Sequence, residues 1–102
     1  MTTQGNGEPA EYLVIVSEHI GVLIKQAHRE AAQRGEGKAF LDALHRLHHR
    51  LRKDPQVFGE PLFRLPALKL LVYHAIVPPL VVHYALHQER PLVIVRRVEL
   101  LG

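Results

Sequence analysis

Cysteine is absent from the 102-residue chain, which removes a disulfide scaffold, a thiolate zinc site and a cysteine nucleophile together. Serine occurs once, as Ser17. It stands directly ahead of a helical pattern and reads as a helix cap, so serine-type catalysis is excluded as well. The apolar runs Leu70–Val72 and Ile76–Val82, the second interrupted by Pro78-Pro79, are far too short to cross a bilayer. Residues 1–9 show neither the basic n-region nor the apolar h-region of a signal peptide. Gly35-Glu36-Gly37 lacks the Gly-Lys-Ser/Thr ending of a phosphate loop. Glu89 and Glu99 fall at a turn and an edge, so the strands offer no paired carboxylates. These absences predict a cytoplasmic protein with no cofactor and no membrane association.

What the chain does have is ordinary globular material: 47% hydrophobic and 23% charged residues, with 13 Lys+Arg against 10 Asp+Glu. The net charge of +3 permits an anionic partner without demanding one, and eight histidines make the protein more basic as the pH falls. The length suits one domain. Residues 1–10 hold two Gly and a Pro and read as a flexible tail ahead of a domain over 11–102.

Tyr12–Val16 is a β-branched run of strand length. Ser17 then caps a helix from Glu18, in which Ile20, Leu23, Ile24, Ala27 and Ala31 share a face, and Gly35 ends it. A second helix over about Lys38 to Lys53 aligns Phe40, Leu44, Leu47 and Leu51, with Leu41 widening the stripe. Asp54-Pro55 stops it and, with Gly59, marks an ordered, exposed loop, and Val57–Pro61 also reads as loop. Leu62–Leu65 is a short extended piece. Leu68–Val77, Leu80–His87 and Leu92–Leu100 alternate as three strands joined by short connections, an antiparallel meander. The expected fold is therefore α+β: a β-α-α-β-β-β two-layer sandwich, its sheet covered on one face by a helix hairpin.

That element order, the loop Asp54-Pro-Gln-Val-Phe-Gly-Glu-Pro61 and the strand Pro79-Leu-Val-Val-His-Tyr84 resemble the RelE/ParE superfamily of bacterial toxins over roughly residues 11–100. The resemblance implies the toxin of a type II toxin–antitoxin module, neutralised by an antitoxin protein. Its target would be translation, through mRNA cleavage on the ribosome, or DNA gyrase. The ribosome-dependent members carry an Arg three residues before the strand Tyr. With that Tyr matched to Tyr84, the position holds Val81. Val81 favours an alternative, a non-enzymatic or degenerate member that only binds protein.

The family's Arg position also marks the uncovered sheet face. His83 and His87 share the parity of Val81, and Lys69 and Tyr73 on the preceding strand are taken to join them. His83, His87, Lys69 and Tyr73 are thus the candidate catalytic set: an imidazole for acid–base work, a Lys for the phosphate and a Tyr to orient it. Arg46, Arg50, Arg52 and Lys53 on the second helix, with Arg97 on the last strand, are the candidate phosphate contacts. His45-x-x-His48-His49 places two histidines one helical turn apart, but with no acidic residue between them and no third ligand it reads as a solvated basic face, so no metal is assigned. Leu71, Val77 and Val81 should leave an exposed apolar patch for a partner chain, or a second copy in a homodimer, to cover.

Overall fold

A computed structural model describes residues 11–102, so the expected tail lies outside the described residues. The chain forms β1 (Leu13–Ile15), α1 (Glu18–Gln33), α2 (Gly37–Lys53), α3 (Pro55–Phe58), β2 (Glu60–Leu65), β3 (Leu70–Val77), β4 (Leu80–His87) and β5 (Leu92–Leu100), with a 3₁₀ turn at Pro66–Leu68. The described residues make a compact α+β arrangement of one five-stranded mixed sheet, in the order β1-β5-β4-β3-β2, and three helices. Strands β2 to β5 make an antiparallel meander, and β1 adds to β5 in parallel, Leu13 opposite Leu92 and Ile15 opposite Ile94.

The local signals explain the helices. The backbone N–H of Ile20 donates to Ser17 Oγ at 3.2 Å, satisfying one of the donors a helix start leaves open. Helix α1 ends at a glycine with φ +77°, Gly35, a conformation that glycine adopts without steric cost. Ile20, Ala27 and Ala31 from α1 and Phe40, Ala43, Leu47 and Leu51 from α2 are buried against the sheet. Leu41 departs from expectation. It is exposed, and the smaller Ala43 completes the stripe because it stands four residues before Leu47.

Three further differences concern the elements themselves. Helix α2 stops at Lys53 as the punctuation predicts, but Asp54 (φ −147°) only breaks the axis, and Pro55 at once starts the single turn α3. Pro55 is buried there, so the expected exposed loop is half helix. Residues 60–65 form a full strand paired with β3 where only a short extended piece is expected. The sheet is also mixed, because β1 pairs with β5 in parallel.

Facing the helices are Tyr73, Ala75 and Val77 of β3, Leu80, Val82, Tyr84 and Leu86 of β4, and Val93, Val95 and Val98 of β5. Among the described residues no helix packs on the opposite face. Tyr84, fully buried, ties the sheet to the chain that leads into it. Its hydroxyl donates to the Pro55 carbonyl at 2.7 Å and accepts from the Gly59 N–H at 2.9 Å. Gly59 is required at that point, because a Cβ there would lie 2.5 Å from the His74 carbonyl oxygen and 2.7 Å from the Tyr84 hydroxyl.

Candidate functional site on the open sheet face

Two β-bulges shape the open face. In β5, Arg97 pairs with His83 and Val95 with Tyr84, leaving Arg96 as an extra residue. In β2, Phe63 pairs with Val72 and Pro61 with Tyr73, leaving Leu62 extra. In a regular strand, consecutive side chains point to opposite faces; a bulge lets two neighbours share one. Arg96 and Arg97 accordingly line one side of a cleft of about 410 Å³, and Leu62 and Phe63 line the other, over a floor that includes Val72 and His83. Phe63 is 48% exposed, an unusually open position for a phenyl ring.

The cross-strand pairs also lay down a polar row. Glu60 is opposite His74, His74 opposite His83, and His83 opposite Arg97. His74 Nε2 stands 3.6 Å from Glu60 Oε1, and the His74 and His83 rings are 6.1 Å apart between centroids. Arg97 Nε lies 3.4 Å from Glu99 Oε2, an exposed pair of the kind that contributes little to stability, whereas Arg96 has no ion pair among the described residues. The row can accept and donate protons at two imidazoles, and Arg97 with the neighbouring bulge residue Arg96 can hold an anion.

The expected catalytic set does not assemble. His83 and Arg97 meet in the cleft. Tyr73 does not join them: it is buried on the helix side, its ring stacked parallel on Tyr84 at 5.2 Å. Burial pushes the Tyr73 phenol above its ordinary value, with Tyr12 adding to the effect and Arg64 opposing it. The same cause, larger, raises Tyr84 well out of the physiological range. The reason for the misplacement is register. The Pro78-Pro79 turn pairs Val77 with Leu80, so odd residues of β3 oppose even residues of β4. Val77 and Leu71 therefore pack on the core side, and the exposed apolar residues of the open face are Leu62, Phe63 and Ile76.

Lys69 is not in a strand. It ends the 3₁₀ turn with a left-handed φ of 56°, and its Nζ lies 3.0 Å from Glu89 Oε1. His87 is on the open face but at its far end, where its Nδ1 accepts from the N–H groups of Glu89 (3.0 Å) and Arg90 (3.1 Å). It closes the β4–β5 turn. The expected phosphate contacts on α2 are largely neutralised by neighbours. Arg50 holds Asp54 at 2.8 Å, which raises its pKa, and lies over the Phe58 ring. Arg52 and Lys53 both grip Glu11, whose carboxyl the two cations, Lys53 foremost, hold down to about 2. Arg46 stays exposed and has no ion pair among the described residues. His45, His48 and His49 are exposed on the same helix, and no three metal-ligating side chains come together among the described residues.

Sequence reasoning missed His74, Arg96 and Phe63 as members of the site. The signal for Arg96 is present in the chain: Val93, Val95 and Val98 are all buried, and the three-residue step from Val95 to Val98 cannot be met without a bulge. No helix among the described residues is long and apolar enough to span a membrane. No protein-family model matches this chain, and no match is found among curated proteins or solved structures.

Proposed function

We propose that this chain is the toxin of a RelE/ParE-like toxin–antitoxin pair and acts on RNA through its open sheet face. The observation behind this proposal is the cleft in which His83, Arg96 and Arg97 converge, on a face that no helix among the described residues covers. The order of strands and helices and the Pro79–Tyr84 strand add the family resemblance. Two guanidinium groups neutralise a phosphodiester, and two imidazoles flank it. In that geometry one histidine removes the proton from a 2′-hydroxyl, whose oxygen attacks the adjacent phosphorus. The other gives a proton to the departing 5′-oxygen, and the P–O5′ bond breaks. His83 is the acid–base residue nearest the cations. His74 is its partner, oriented by Glu60.

Val81 favours a second reading, in which the face binds its target and cuts nothing, either as a gyrase poison or as a protein-binding module alone. Expression of wild type and His83→Ala in a bacterial host, without antitoxin, separates the two. The RNA proposal expects growth arrest with cuts in ribosome-bound mRNA, both falling roughly 10²–10⁴-fold in rate in the variant. Equal arrest by both chains with intact mRNA refutes it and selects the binding reading.

A further inference from the structure

We infer that the two bulged rims of the open-face cleft are the two ends of one single-stranded oligonucleotide site: Phe63 is a platform on which a base stacks, and the Arg96-Arg97 pair holds a phosphate of the neighbouring nucleotide. This deepens the RNA proposal above and rests on it for the choice of RNA. The inference comes from the chemical difference between the rims. Each bulge turns two consecutive residues onto the open face, one pair apolar and aromatic, Leu62-Phe63, the other cationic, Arg96-Arg97.

An exposed phenyl ring beside a charged cleft suits a ligand with a flat uncharged part and an anionic part. Strands β2 and β5 are three sheet positions apart, or about 14 Å at the usual strand spacing. Strand axes that far apart suit a dinucleotide or longer strand better than one mononucleotide, whose base and phosphate lie closer together. Between the rims the floor is Val72 and His83, which line the cleft along with both rims. The polar row runs beside it, which brings the sugar–phosphate between the two ends past His83. Glu99, opposite Val81, and Glu60 close the row's flank and end with negative charge, and they set the limit of the track. A duplex keeps its bases stacked inside and cannot offer one to Phe63, so the site discriminates by strandedness, as aromatic platforms do elsewhere.

The test is binding of a fluorescent single-stranded RNA tetramer, followed by anisotropy, against a self-complementary duplex of the same composition. The single strand is expected to bind more tightly than the duplex. Phe63→Ala should weaken it roughly 5- to 100-fold, with Phe63→Trp restoring it. Arg96→Gln and Arg97→Gln should each weaken it and lower the slope of log affinity against log salt by about 0.7. Phe63→Ala should keep the wild-type far-UV circular dichroism spectrum, which a misfolded variant would not. Equal affinity for duplex and single strand, or a Phe63→Ala variant that binds the tetramer like wild type, overturns the inference even if the protein proves toxic. Single-strand binding that depends on Phe63 in a protein that arrests no growth upholds the inference and refutes the toxin reading.

Discussion

Replacing Tyr84 by Phe removes one oxygen atom and leaves the ring in place where it stacks on Tyr73. The hydroxyl is the single partner that joins the Pro55 carbonyl to the Gly59 N–H, at 2.7 and 2.9 Å. The residue is fully buried and Pro55 is buried with it, so water does not take the oxygen's place without opening the structure. Losing one net hydrogen bond costs about 1 kcal/mol, and a buried acceptor left bare costs about 1–3 kcal/mol. Because the Gly59 amide is only partly buried, the sum expected is about 2–3 kcal/mol. For a domain of this size each kcal/mol moves the melting temperature by roughly 4–8 °C, so Tyr84→Phe should melt roughly 10–20 °C lower. The assay is urea denaturation followed by circular dichroism, with amide exchange at Gly59 as a local readout. An unchanged m value and a loss within 0.5 kcal/mol of zero, a threshold well below the ~1 kcal/mol of an ordinary hydrogen bond, would show that the phenol does not hold α3 to the sheet. The consequence reaches the cleft, because the turn it fixes leads directly into Glu60, Leu62 and Phe63.

Gly59→Ala should be more damaging than a surface Gly→Ala exchange: the new methyl carbon meets backbone at 2.5 Å, and a loss of more than about 2 kcal/mol is expected by thermal melting. The Glu11 carboxyl is held down to about 2 in the folded chain by Lys53 and Arg52. Its folded pKa lies below its unfolded one, so its contribution is present above about pH 4.5, where the free carboxyl titrates, and is lost as the pH falls toward 2. Glu11→Gln should flatten that part of the stability–pH curve, and added salt should flatten it in the wild type, since all three side chains are exposed.

The helices were legible because their signals are local. Ser17 as cap, Gly35 as terminator and the spacing of Phe40, Leu47 and Leu51 are all decided within a turn or two of chain. The site was less legible because it depends on register, which is a relation between strands. Each strand's alternation was readable, and the parity of Leu70, Val72 and Ile76 against Leu71, Tyr73 and Val77 is that of the structure. What alternation cannot say is which of two parities faces the helices when both are apolar. The two-residue Pro78-Pro79 connection does say it, through the pairing of Val77 with Leu80, and taking that count into account would have sent Tyr73 to the core. Strict alternation likewise kept Arg96 and Arg97 apart. Glu11 was out of reach for a different reason: its partners Arg52 and Lys53 are 41 and 42 residues away, and the local pattern showed only a run of cations.

The bulges make the composition of the open face a matter of residue count as well as identity. Removing Arg96 would return β5 to regular alternation, with Val93, Val95 and Val98 still in phase on the core side and a single Arg left above them. Leu62 stands in the same relation to β2. Each extra residue is thus a unit that can be added to or withdrawn from one surface without moving a buried side chain to the other. The hydrophobic layer and the polar layer of this sheet can vary in length independently, because the bulge absorbs the difference at the place where the ligand-sized cleft is formed.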